Sequence, residues 1–150
     1  MAFKALLVAV DGSSSSRLAL EQAGDLAAAE HVKSLTVLAV TPPVSSFVAM
    51  AGQDPERLQA EARAEATKLL GAAAEGRPGG MEPEVVALDG DPGRAIIEQA
   101  GRGGNDLIVM GSRGHGPVGS LVLGSVSTYV LQHSPVAVLV IHQPPGAEEG

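Results

Sequence analysis

The densest grouping of residues able to hold a ligand is the stretch GSRGHGPVGSLVLGSVS, residues 111–127. Its glycines, Gly111, Gly114, Gly116, Gly119 and Gly124, permit positive φ and let backbone amides come close to an anion. Ser125 and Ser127 stand where a helix begins. A helix N-terminus offers unpaired N–H groups and the positive end of a dipole, so the amides of Gly124 and Ser125 together with the serine hydroxyls suit a phosphate. Arg113 is the one cation in the stretch, a candidate phosphate contact or equally a solvated surface residue. A second candidate is Asp11, which follows a continuous apolar run and precedes Gly12 and four serines. It suits either a ligand contact or a turn carboxylate that caps a helix.

Other chemistries fail on spacing. Gly114, Gly116 and Gly119 satisfy G-x-G-x-x-G, but about 20 residues later the chain is an apolar strand with no acid to hold a ribose. No Gly-Lys dipeptide exists, which removes a Walker A loop. His31, His115, His133 and His142 show no metal-binding spacing. The absence of cysteine removes disulfides, thiolate metal sites and cysteine nucleophiles. Ten Lys and Arg against seventeen Asp and Glu give a net charge of −7, which repels nucleic acid backbones and anionic bilayers. With Phe3, Phe47 and Tyr129 as the only rings, there is no platform for stacking bases. The apolar N-terminal run is too short for a secretory signal, and no run approaches the ~20 residues of a membrane span. A cytoplasmic protein with neither nucleic acid nor membrane as partner is expected.

The elements that must position these residues can be read from apolar patterning. Residues 5–10 are a continuous apolar run, as expected of a strand covered on both faces, and 35–40, 106–110 and 136–141 read as further strands of this kind, with a short strand at 84–88. Between them lie helical periods. Ala19, Leu20, Ala23, Leu26 and Ala27 form one stripe, capped by Ser13 or Ser14, and Leu58, Ala62, Ala66, Leu69 and Ala73 another after Asp54-Pro55. Ile96, Ile97 and Ala100 follow Asp91-Pro92, and Val126, Val130 and Leu131 mark the last helix. Residues 43–53 carry no defensible period, so Phe47 and Met50 are read as either a ligand lid or an edge cover. Strands alternating with helices predict one α/β domain over residues 1–142, an open parallel five-stranded sheet with helices on both faces. Residues 143–150 are expected to form a disordered tail. On such a sheet ligands sit beyond the carboxyl ends of the strands, where strand order reverses, and those ends carry Val10-Asp11, Val40-Thr41, Asp89-Gly90 and Met110-Gly111.

Gly111, Gly114, Gly124 and Ser125 fall at the spacing G-x2-G-x9-G-[ST], and with the opening LLVAVDGS, the GDP at residues 90–92 and the SPVAVLVI strand the chain resembles the nucleotide-binding branch of the universal stress proteins. The resemblance implies a Rossmann-like fold that binds ATP. It implies that Asp11, beside Val10, lies near the ribose or an associated Mg²⁺, and that Val40 contacts the adenine. Gly111, Gly114, Gly124, Ser125 and Ser127 would hold the triphosphate, flanked by Met110 and Val126. Ala39 stands where many members have histidine, and the roles of Arg113 and His115 do not transfer.

The expected function is a small stress-response protein that uses bound ATP as a signal, with little turnover, because a single carboxylate and one nearby arginine fall short of what phosphoryl transfer requires. The alternatives are a nucleotide-using hydrolase or adenylyl-transfer enzyme, a stress protein for another small ligand, and a phosphoacceptor receiver, which lacks its lysine in the last strand. The strand from Val136 to Ile141, with no lysine or internal proline to guard it, is expected at the sheet edge, where it would pair with its own copy in a homodimer.

Overall fold

The computed structural model describes residues 2–112 and 123–143. Five strands, β1 (Ala5–Ala9), β2 (Ser34–Thr41), β3 (Glu84–Asp89), β4 (Leu107–Gly111) and β5 (Ala137–Ile141), form one sheet in the order β3-β2-β1-β4-β5. Every pairing is parallel. Among the described residues the strands are connected by the α-helices α1 (Ser14–Glu30), α2 (Ser46–Met50), α3 (Pro55–Glu75), α4 (Pro92–Arg102) and α5 (Ser125–His133).

The apolar runs of β1, β2 and β4 arise because both faces of these inner strands are covered, whereas the edge strands β3 and β5 hold no fully buried residue. Leu6, Val8 and Val10 point into a core closed by α1 and α3, through Ala19, Ala23, Ala27, Ala66, Leu70 and Ala73. Leu7 faces the other way, with Ile108 and Met110, onto Ile96 and Ala100 of α4 and Val130 of α5. Alanines at four-residue intervals let α1 lie close to the strands, as a single small-residue stripe allows. The expected caps are in place. Ser13 accepts from the Ser16 amide at 3.3 Å, Asp54 from Glu56 at 3.1 Å and Asp91 from Arg94 at 3.2 Å. Because α1 and α3 lie on one face and α4 and α5 on the other, strand order reverses between β1 and β4, and the crevice of the fold opens above that pair.

Several readings shift. Asp106 is not a strand residue. Its carboxylate accepts the amides of Lys4 at 2.9 Å and Ala5 at 3.0 Å and so pins the start of β4 to the start of β1. Val136 precedes β5, held by Ser134. Leu70 joins the core where the stripe had put Leu69, and Leu131 is 44% exposed. Residues 43–53 include α2, capped by Ser45 and too short to show a period. Phe47 and Met50 are 73% and 84% exposed, so neither shields a strand edge. Within the expected tail, Gln143 receives a hydrogen bond from the Ser14 hydroxyl, and residues 144–150 lie outside the described part. No helix among the described residues is long and apolar enough to cross a membrane.

Candidate functional site

A cleft of about 730 Å³ opens at the carboxyl ends of β1, β2 and β4. Its floor is Val10, Asp11, Val40, Met110 and Gly111. One wall is the N-terminus of α5, with Gly124, Ser125, Val126 and Ser127. The structure thus brings together every site residue read from the sequence except Arg113 and Gly114, which lie outside the described residues, as do His115, Gly116 and Gly119.

The Asp11 turn is built locally. The Asp11 Oδ1 accepts from the Ser13 amide at 2.9 Å and from the Ser13 hydroxyl at 2.5 Å, and the Asp11 amide donates to the Ser16 Oγ at 3.2 Å. Gly12 takes φ 84°, the left-handed turn that a glycine tolerates. The exposed carboxylate orders the turn, as one of the two readings had it, and it borders the cleft.

Two glycines serve the site differently from the sequence expectation. Gly111 lies in extended strand and Gly124 has φ −71°, so neither supplies a positive φ. Gly111 supplies space instead. A Cβ there would lie 2.7 Å from the Ser15 carbonyl carbon and 2.8 Å from the Ser16 nitrogen, so the glycine lets the first turn of α1 seat against β4. Gly124 caps α5 with no side-chain acceptor, which leaves the amides of the first turn to other partners.

The end of β4 is a hub around Ser112, which is 1% exposed. Its amide donates to Ile141 O at 2.8 Å, and its carbonyl accepts from the Gly124 amide at 2.7 Å and from the Ser127 hydroxyl at 2.8 Å. The Ser127 proton thus ties α5 to β4. The Ser112 Oγ lies 3.0 Å from His142 Nδ1, just past β5.

Sequence reasoning missed the second wall. Ala62, Glu65, Ala66 and Leu69 of α3 and Pro92 and Ile96 of α4 line the cleft. The signal was present in the α3 stripe, whose Ala66 and Leu69 pack on the core and border the cleft at once. Glu65 and Asp11 are the ionisable groups among the described lining residues, so the described cleft is mostly aliphatic with two carboxylates. The described residues include no group of three or more His, Asp or Glu placed to hold a metal. Asp11 alone suits an ion whose other ligands are waters and phosphate oxygens, the usual Mg²⁺ arrangement.

Near the cleft mouth, Arg63 of α3 grips Asp89 at the end of β3 through Nη2 at 2.7 Å and Nε at 3.0 Å. The hydrogen bond that Arg63 donates to Asp89, then the Asp89 charge, raises the Arg63 pKa above its ordinary value. The pair is exposed and acts as a surface clasp between α3 and β3.

The sequence profile of the universal stress protein family matches residues 2–142. The universal stress protein YxiE of Bacillus subtilis is 33% identical over 147 residues, covering 93% of this chain and 99% of its own. A universal stress protein of Thermus aquaticus is 35% identical over 139 residues, with 93% and 98% covered. Among solved structures, a universal stress protein in complex with cAMP superimposes with a TM-score of 0.69 at 27% identity, covering 96% of this chain and all of that one. A five-stranded parallel sheet wound on both faces, together with a profile match over nearly its whole length, makes this chain a member of the universal stress protein family.

Proposed function

We propose that this protein binds an adenine nucleotide in the cleft above β1, β2 and β4, with ATP and Mg²⁺ as the working ligand, and acts as a stress-response binding protein. The observation that carries the reading is the convergence of Val10, Asp11, Val40, Met110, Gly111 and the first turn of α5 on one cleft at the switch point. The adenine would lie against Val40 and Met110, held by aliphatic contact. Ribose hydroxyls would donate to Asp11. The phosphates would meet the uncapped amides of Ser125 and Val126, with Arg113 and Gly114 as further contacts. Ser127 would act chiefly by fixing α5 in place. A related chain that is 27% identical was solved with cAMP, which supports the ligand class.

Little turnover is expected. One carboxylate, Asp11, and one arginine, Arg113, fall short of the positioned base and charge neutralisation that phosphoryl transfer requires. We propose further that β5 pairs with its copy. It is an edge strand whose Leu139 is 38% exposed, and a two-fold pairing satisfies both free ladders with one self-complementary contact. The absence of cysteine fits a cytoplasmic setting.

Calorimetric titration of nucleotide-stripped protein with Mg-ATP tests the ligand. Saturable heat with micromolar or weaker affinity is expected; no heat and no thermal shift at millimolar nucleotide would refute the proposal.

A further inference from the structure

The described walls of the cleft carry two carboxylates and no base, yet one basic group reaches this wall indirectly. His142 Nδ1 lies 3.0 Å from the hydroxyl of Ser112, a residue that lines the cleft beside the amide end of α5. The backbone of Ser112 is fully engaged with Ile141, Gly124 and Ser127, so its hydroxyl is held on a rigid hub. Resting on the nucleotide reading above, we propose that His142 is a positioning residue that sets whether Ser112 offers a phosphate a donor or an acceptor, and so makes phosphate binding proton-linked.

The physical step is a choice of who donates. A hydroxyl has one proton. When Nδ1 carries no proton, it accepts the Ser112 proton, and the Oγ turns only lone pairs toward the cleft, which repel phosphate oxygens. When Nδ1 carries a proton, His142 donates to Oγ, and the Ser112 proton is released toward the ligand. Neutral imidazole can take either tautomer. The imidazolium donates from both nitrogens, so the cation always leaves Ser112 as a donor and adds a positive charge at the phosphate end. Binding of an anion therefore favours the protonated ring, and by reciprocity protonation tightens binding.

The neighbouring charges do not abolish this coupling. β4, which pairs with β5, carries no titratable side chain. The ends of β1 and α1 near that corner carry Asp11 and Arg17, of opposite sign. His133 ends α5, away from its amide end, and Tyr129, midway along the helix, packs its ring against Gly93 of α4 and stacks on His133.

The test uses cAMP, whose phosphodiester keeps one charge across the range, and adenosine, which has no phosphate. Affinity of the full chain for cAMP, measured by calorimetry, is expected to rise about tenfold from pH 8.0 to pH 5.5, as for one hydrogen bond to a charged group. Adenosine affinity should change less than about twofold, the residue of ordinary solvent effects. His142→Asn keeps a permanent amide donor near the Nδ1 position and should bind cAMP with a flat profile, while His142→Ala should bind more weakly at every pH. His115→Asn should keep the slope. Full slope in His142→Asn, loss of slope in His115→Asn, or a slope shared by adenosine would overturn the inference. A flat wild-type profile with firm cAMP binding would overturn it while leaving the nucleotide reading intact; no binding of any adenine nucleotide would remove both.

Discussion

Gly111→Ala isolates one cause. The residue is in extended strand, so alanine meets no backbone strain there, and the whole effect must come from space. The new Cβ would lie 2.7 Å from the Ser15 carbonyl carbon, 0.7 Å inside the 3.4 Å where ordinary contact begins, and 2.8 Å from the Ser16 nitrogen. Both neighbours are backbone of the first turn of α1 and cannot rotate away. Either α1 retreats along much of its buried alanine stripe, or its first turn unwinds and loses the Ser13 cap. Overpacking of this kind costs about 1–3 kcal/mol. For a chain of this size that is about 3–10 °C in unfolding midpoint. Urea unfolding followed by circular dichroism, with the slope against urea unchanged, measures it. The shift should also disturb Ser16 and hence the Asp11 turn, so ligand affinity should fall with stability. A variant within about 0.5 kcal/mol of the parent, the ordinary surface range, would refute the packing argument.

Gly71→Ala and Gly101→Ala supply the contrast: each sits in a helix with open space around the built Cβ, and each should stabilise by about 0.5–1 kcal/mol in the same urea assay. Burial pushes the Asp106 carboxyl up, but the Lys4 and Ala5 amides and the Lys4 charge together outweigh it and leave its pKa below the ordinary value. A depressed folded pKa means stability that is present above the unfolded carboxylate range, about 3.9, and is lost as pH falls through the folded value. The stability gap between the parent and Asp106→Asn, read by urea unfolding at successive pH values, should stay level from pH 7 to about 5 and close below about 4. Ala62→Phe should fill part of the cleft, weaken nucleotide binding at least about tenfold and leave the fold intact, because Ala62 borders the cavity at its open side. If β5 pairs with its copy, Leu139→Glu should shift the mass seen by light scattering from about twice 15.1 kDa to that of one chain.

The order of elements was legible because the inner strands are buried on both faces: a strand with no polar side, such as Leu6 to Val8, reads as an unbroken run whatever its neighbours. Asp-Pro pairs at 54–55 and 91–92 marked two helix starts because proline lacks the donor that a first turn leaves unused. α2 escaped because five residues cannot show a 3.6 period. At the site, the strand-end residues could be chosen by rule, but the α3 wall could not. Ala62 and Leu69 carry the same apolar signature whether they fill a core or border a cavity, and Leu69 does both. Gly111 was chosen for the wrong physical reason, since a sequence cannot show whether a glycine is needed for its φ or for the room it leaves. The contact of His142 with Ser112 joins residues thirty positions apart and has no sequence signature at all.

The most direct test of the account is the structure of this protein crystallised with Mg-ATP at saturating concentration. The account predicts the adenine against Val40 and Met110 with α3 on its open side, the ribose within hydrogen-bond reach of Asp11, and phosphate oxygens at the Ser125 and Val126 amides. Nucleotide bound elsewhere on the chain, or a cleft left without nucleotide under those conditions, would contradict it.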